Sequence, residues 1–332
     1  MSESSATLDL LIIGAGPAGL SAALTAQNEG LSYLVLEKGL IADTIYRYPV
    51  GLTVFSTPNE LELRAGDLKP CREKPTREEL LSYYVRLALN ENLNIRTAEE
   101  ARAIEPIEGG FVVRSSRTTY RAARVLVAIG GLALPRQLGA PGEDLPKVHS
   151  RFVEAYPYVR KDALVVGGGN SAAEAALFLA EEGAHTTFAI WPSDWGNLDP
   201  KKGAIKEWVR RPLERQIEMN RLRLLQFERV AEIRENSVSI LTAEQELVEI
   251  PNDVVFVLIG SDPDLTILRQ AGVETITLGL TEVPVYDPET FETNVPGIYV
   301  AGHFTNSRHI NDAIAVPRRI VPHIAHSLRA AV

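Results

Sequence analysis

Two glycine-rich runs carry the chemistry that can be read in this sequence: Gly14-Ala15-Gly16-Pro17-Ala18-Gly19 and Gly167-Gly168-Gly169-Asn170-Ser171-Ala172. In such a run the first glycine makes a tight turn and the second lets a pyrophosphate approach backbone N–H groups. The third, or an alanine in its place, lets helix and strand pack closely. A carboxylate at the end of the next strand completes the pattern by accepting from a ribose 2′-hydroxyl, and Glu37 stands 23 residues after Gly14. The implied chemistry is the binding of an adenine dinucleotide, twice.

A glycine run alone is a weak signal, and the flanking elements give it weight. Asp9-Leu10-Leu11-Ile12-Ile13 reads as a parallel strand covered on both faces, and a helix carrying Leu20, Ala23, Leu24 and Gln27 follows the first run. A second strand, Tyr33 to Leu36, ends on Glu37. The same order returns with the strand Ala163 to Val166, a helix to Glu182, Gly183 as its stop signal, and the strand Thr186 to Ile190. Two such units about 150 residues apart exceed the need of a one-cofactor dehydrogenase and match a flavin plus a nicotinamide.

These units need a scaffold, and the chain is long enough for about two domains. Its 45% apolar and 23% charged residues are those of an ordinary globular protein. The strand Arg124 to Gly130 leads into a loop rich in Pro and Gly (Pro135, Gly139, Pro141, Gly142), the natural linker to a second domain. Later apolar strands, Asp253 to Gly260 and Val295 to Gly302, read as a return to the first. The final helix, about Asn311 to Leu328, is interrupted by Pro317 and Pro322. The expected fold is α/β, with two Rossmann-like three-layer domains: residues 1–130 and 250–332 for FAD, and an inserted nicotinamide domain at 131–249.

Other features exclude function classes. A net charge of −9 and a pI of 5.3 argue against a nucleic-acid surface. Arg210, Arg211 and Arg215 are balanced by Glu207, Glu214 and Glu218, as on a solvated helix face. The segment Met1 to Leu8 carries no export signal, and the longest nearly apolar run, Val125 to Pro135, is too short to span a bilayer, so a cytoplasmic location is expected. The single cysteine, Cys71, excludes an internal disulfide, a Cys-x-x-Cys pair and a thiolate zinc site, and no metal is expected. It lies in Lys69-Pro70-Cys71-Arg72, which reads as an exposed loop whose cations would lower a thiol pKa.

The glycine runs with Glu37, then Ala128-Ile129-Gly130, then Gly297-Ile298-Tyr299-Val300-Ala301-Gly302, occur in an order that resembles low-molecular-weight thioredoxin reductases over almost the whole chain. Thr44-Ile45-Tyr46-Arg47-Tyr48-Pro49, Phe55-Ser56 and Val285 to Asn294 are similar to the bacillithiol-disulfide reductase group. The resemblance implies FAD, a reduced nicotinamide donor, a homodimer and no redox disulfide. It assigns FAD contacts to Gly14, Gly16, Pro17, Ala18, Gly19, Glu37 and Lys38, then Thr44, Ile45 and Tyr48, then Ala101 and Gly130, and finally Gly302, His303 and Ala313. It assigns nicotinamide contacts to Gly167, Gly169, Asn170, Ser171 and Ala172, with Glu174 orienting the amide, and to Trp191 and Ser193. A plain helix-surface role for Glu174 is the competing reading.

Four positions depart from the pattern. Val148-His149-Ser150-Arg151-Phe152 stands where thioredoxin reductases carry Cys-x-x-Cys, and Ala18 where the bacillithiol group has a cysteine. Trp191-Pro192-Ser193-Asp194 replaces the arginines that hold an NADPH 2′-phosphate. There Asp194 would favour NADH, Arg210 or Arg211 folding back would restore NADPH, or Trp191 would stack on an adenine or a second flavin. His303 replaces an aspartate that holds the ribityl chain.

Hydride transfer from nicotinamide to flavin belongs to the cofactors, so no catalytic triad is expected. The last helix, near Asn311-Asp312-Ala313, would aim its positive end at the flavin. His303 and His309 flank Thr305-Asn306-Ser307-Arg308. Either His309 or Arg308 meets the electron acceptor or the stretch is a solvated loop. His149, His185, His323 and His326 read as structural. The acceptor is a small-molecule disulfide, a quinone or a redox protein. The alternative is a non-catalytic or sensory flavoprotein, or one with a second flavin in place of NAD(P)H.

Overall fold

The computed structural model describes residues 6–199, 204–305 and 309–330. It divides into two compact units, Met1–Leu134 with Asp262–Val332, and Pro135–Ser261.

In the first unit the strands lie in the order Ile95–Arg96, Tyr33–Leu36, Thr7–Ile13, Thr119–Val127, Gly110–Ser115 and Ala101–Ile107. Thr7–Ile13 is parallel to both neighbours, with Ile12 opposite Val35 and Leu126. Thr119–Val127 is long enough to pair with two further strands besides Thr7–Ile13. Phe111 lies opposite Ala122 in an antiparallel ribbon, and Ile298 lies opposite Val125 in a parallel pair.

Alternation along the opening strand sends Leu10 and Ile12 to one face and Leu11 and Ile13 to the other. The first face packs Leu20, Ala23 and Leu24 of the helix Pro17–Asn28 with Ile320 and Ile324 of the helix Ile310–Ala330. The second packs Phe111, Val113, Leu268 and Phe304. Burial on both faces is what the unbroken apolar run requires.

The helix Pro17–Asn28 starts with proline at its first position, where the missing N–H costs nothing, and continues through alanine-rich sequence. It stops in a Schellman motif. Gly30, at φ +72°, donates to Gln27 O at 3.1 Å, and Leu31 N–H donates to Ala26 O at 3.0 Å. Gly183 ends the helix Asn170–Glu181 the same way, as its sequence position predicts.

The second unit holds a seven-stranded sheet in the order Leu247–Pro251, Ser237–Thr242, Leu222–Ile233, His185–Ile190, Asp162–Val166, Val254–Val257 and Val148–His149. Two sequence expectations are corrected here. Val254–Val257 does not return to the first sheet. It pairs in parallel with Asp162–Val166, Val255 opposite Leu164, so the second unit extends to Ser261 rather than ending at residue 249. Nor do Pro317 and Pro322 interrupt the last helix, which runs unbroken from Ile310 to Ala330. Each proline removes one ladder hydrogen bond, and the buried residues Ile320, Val321 and Ile324 offset that loss by packing with the first helix.

Candidate functional site: two glycine turns

In the first turn Gly14 has φ +107°, and a Cβ there would overlap Ala128 O. A Cβ on Gly19 would overlap Gly14 O. These two glycines are demanded by the chain's own packing. Gly16 is different: it caps the helix Pro17–Asn28 with extended backbone, and a Cβ there would meet nothing within 4 Å. Its open side at a helix N-terminus suits an incoming pyrophosphate.

Glu37 is 8% exposed and braces this turn. Its Oε2 accepts from Ala15 N–H at 2.8 Å and its Oε1 from Gly39 N–H at 2.7 Å. Each carboxylate oxygen keeps a second lone pair, so Glu37 can hold the turn and still accept from a ribose hydroxyl. Ala15 O in turn accepts from Ala42 N–H at 2.9 Å. Ala42, at φ 56°, enters the short helix Asp43–Tyr46 through the left-handed region. That helix exposes Thr44, buries Ile45, and brings Thr44 Oγ1 within 4.0 Å of a Cβ position on Gly130.

Small residues line the far end of the turn. A Cβ on Gly302 would lie 3.4 Å from Ala18 Cβ, and the exposed His303 ring covers Gly131. Thr305 Oγ1 donates to Gly302 O at 2.8 Å. Ser21 Oγ donates to Ile314 O at 2.7 Å, tying the first helix to the N-terminal part of the last. Ala313 is buried there, and its N–H donates to His309 O at 3.1 Å. The free amides of the last helix's N-terminus belong to this neighbourhood.

Most of the expected FAD residues of the first unit therefore converge on one turn and the strand ends beside it. Three do not. Ala101 packs into the apolar cluster of Leu34, Leu36 and Phe111. The segment that reaches the end of the Glu37 strand is instead Ala98, donating to Gly39 O, and Glu99, donating to Glu37 O. Lys38 is exposed, near Asp264. Tyr48 packs half-buried against the cluster around Leu10. His309 is exposed, and Asn306, Ser307 and Arg308 lie outside the described residues.

The second turn repeats this construction. Gly167, at φ +156°, would overlap Leu258 O if it carried a Cβ, and that Cβ would lie 2.8 Å from Ala172 Cβ. Gly169 caps the helix Asn170–Glu181 with nothing within 4 Å of a Cβ position, the counterpart of Gly16. Asn170 Oδ1 accepts from Lys206 N–H at 2.8 Å, and Ser171 is exposed. Glu174 is only 8% exposed, and burial pushes its carboxyl up to about 7.

The turn after the strand His185–Ile190 differs from the sequence expectation. Trp191 is committed to its own sheet, its ring 4.7 Å from that of Phe227 and its Nε1 donating to Glu228 O at 3.2 Å. Arg210 does fold back toward this turn, but its guanidinium stacks 4.5 Å over Trp195, donates to Trp195 O at 2.9 Å and pairs with Glu214 at 2.8 Å. Ser193 is exposed, and Asp194 lays its carboxylate against Gly168, with burial raising its pKa. Sequence spacing gave no sign of that contact.

Each turn thus offers a helix N-terminus behind an open glycine, the arrangement an adenine dinucleotide needs, and the first adds an acid with lone pairs to spare. The residues present fit FAD at the first turn and a nicotinamide dinucleotide at the second. Cys71 is exposed, with its N–H donating to Glu79 Oε1 at 2.8 Å. Among the described residues no cluster of His, Cys, Asp and Glu could hold a metal ion, and no helix is long and apolar enough to cross a membrane.

Comparison with known proteins agrees with this construction. Residues 11–302 match the family model described as pyridine nucleotide-disulphide oxidoreductase. The chain is 36% identical over 305 residues to bacilliredoxin reductase Bdr of Bacillus subtilis, covering 91% of each chain. It is 28% identical to a ferredoxin–NADP reductase of Ignicoccus hospitalis, covering 90% of each. Among solved structures, bacillithiol disulfide reductase Bdr (YpdA) of Staphylococcus aureus superposes with a TM-score of 0.89 at 30% identity, covering 100% of this chain and 99% of that one. The chain belongs to the pyridine nucleotide-disulphide oxidoreductase family and is an FAD-dependent pyridine-nucleotide oxidoreductase of the thioredoxin-reductase-like type.

Proposed function

We propose that the chain takes electrons from a nicotinamide dinucleotide at the second turn and delivers them, by way of FAD at the first, directly to an external acceptor with no thiol of its own in the path. When bound, the two cofactors supply the hydride chemistry. The chain supplies geometry and electrostatics. The open sides of Gly16 and Gly169 admit pyrophosphates to backbone amides, and Glu37 orients a ribose. The N-terminal turn of the last helix, around Ala313, offers a positive dipole end.

The observation that carries the reading is Ala18 set against Gly302 at the end of the first turn. A nucleophilic sulfur at that place would relay electrons to a disulfide, and Cys71 sits instead in an exposed loop held by Glu79. An acceptor that takes electrons without covalent exchange, a quinone or a redox protein, fits best. A small-molecule disulfide is the second reading, favoured by what the Bacillus subtilis and Staphylococcus aureus relatives are named for.

The test is anaerobic turnover of the FAD-loaded protein and its Cys71→Ser variant with a naphthoquinone, a ferredoxin and bacillithiol disulfide in turn. Turnover with the quinone or ferredoxin, equal in both proteins, supports the proposal. Turnover with the disulfide alone, abolished by Cys71→Ser, refutes it.

A further inference from the structure

The residue that chooses the electron donor is Asp194, an inference that rests on the reading above that the second unit holds a nicotinamide dinucleotide. Its carboxylate fills the space beside Gly168, where any Cβ would overlap Oδ2 and Cγ. Gly168 follows the first glycine of the second turn, as Ala15 follows the first glycine of the first. Ala15 is also the residue whose N–H donates to Glu37 Oε2. The two acids therefore meet the same residue of equivalent turns from different sides, Glu37 at the amide of Ala15 and Asp194 on the Cα face of Gly168. Glu37 directly follows the strand Tyr33–Leu36, whereas Asp194 comes back to the loop on the short helix Pro192–Trp195 that follows His185–Ile190.

The two carboxylates differ in what already satisfies them. Glu37 accepts from two backbone amides, while among the described residues none donates to the Asp194 carboxylate. The half-exposed Asp194 carboxylate keeps its acceptor lone pairs open to an incoming donor, and a ribose diol supplies two. A 2′-phosphate would instead bring about two negative charges against that carboxylate. It would need a cationic fork, yet of the two described arginines that could fold back, Arg210 is held by Trp195 and Glu214, and Arg211 pairs with Glu207 on an exposed helix face.

We propose that Asp194 accepts from the adenosine-ribose hydroxyls of the donor, excludes a 2′-phosphate, and makes this chain an NADH-dependent enzyme. The site does the work of the acid that ends the second strand of a Rossmann unit, and its seat beside Gly168 gives a structural basis to the NADH preference that the sequence offered as one of three readings.

Isothermal titration of the oxidised, FAD-loaded protein with NAD+ and NADP+ tests this at equilibrium, because no hydride can pass. We expect NAD+ to bind at least about tenfold more tightly than NADP+. Asp194→Ala should weaken NAD+ on the order of tenfold and bring the two affinities within about threefold of each other. Asp194→Asn keeps the side chain's shape and one acceptor oxygen, and should recover most NAD+ binding while admitting NADP+. Retention of FAD by each variant reports that it is folded. Equal or tighter binding of NADP+ to the parent protein overturns the assignment of Asp194, as does an unchanged ratio in Asp194→Ala. Failure of both nucleotides to bind removes the nicotinamide reading of the second unit altogether.

Discussion

Glu174 offers the sharpest physical test of the second unit, because burial alone moves its carboxyl from an ordinary value of 4.5 to about 7. The sign follows from linkage. A carboxyl whose folded pKa is raised is stable in the fold while neutral, and the fold loses stability as pH rises from about 4.5 through about 7. The rise from 4.5 to about 7, at about 1.4 kcal/mol per tenfold change in proton affinity, gives about 3 kcal/mol lost by pH 8.5. Solvent reaching the relaxed site would reduce this to about 1–3 kcal/mol. Glu174→Gln keeps the shape and never ionises. Urea unfolding of parent and variant at pH 5 and pH 8.5, compared as a difference so that all other titrating groups cancel, should show the variant gaining about 1–3 kcal/mol relative to the parent between the two pH values. A difference that stays constant with pH would refute a buried, titrating Glu174.

The glycines of the first turn should separate fold from ligand. Gly16→Val meets open space, so the protein should fold with unchanged thermal midpoint in the absence of added FAD while its FAD affinity, read by fluorescence quenching, falls by on the order of a hundredfold. Gly14→Ala instead meets Ala128 O at φ +107° and should cost about 1–3 kcal/mol in denaturant unfolding. Glu37→Gln removes the charge that Ala15 and Gly39 donate to; about 1–2 kcal/mol of stability and a measurable part of the FAD affinity should go together. Sedimentation at micromolar concentration checks the homodimer that the family resemblance implies.

What the sequence revealed, and what it did not, divides along the range of the interactions. Gly14, Gly16, Gly19 and Glu37 were legible because a strand, a turn, a helix and a terminal acid follow one another locally, and Glu37 braces the turn within that one unit. Gly183 was legible as a helix stop for the same reason. Val254–Val257 was misplaced because an apolar run of that length suits either sheet, and only pairing with Asp162–Val166 decides which. Pro317 and Pro322 read as breaks because the first helix, on which their neighbours Ile320, Val321 and Ile324 pack, lies some 300 residues away. The seat of Asp194 on Gly168 depends on how a short turn folds back after its strand, which composition does not encode. Ala42 in a left-handed conformation carried no signal at all, since alanine rarely occupies that region.

The most direct measurement is an anaerobic absorbance spectrum of the purified protein before and after one equivalent of NADH. We expect a yellow protein whose flavin band near about 450 nm bleaches within the mixing time of a stopped-flow instrument. A colourless protein that takes up no FAD from excess, or a yellow one that neither NADH nor NADPH bleaches, would contradict the central claim that the two glycine turns pass electrons from one dinucleotide to the other.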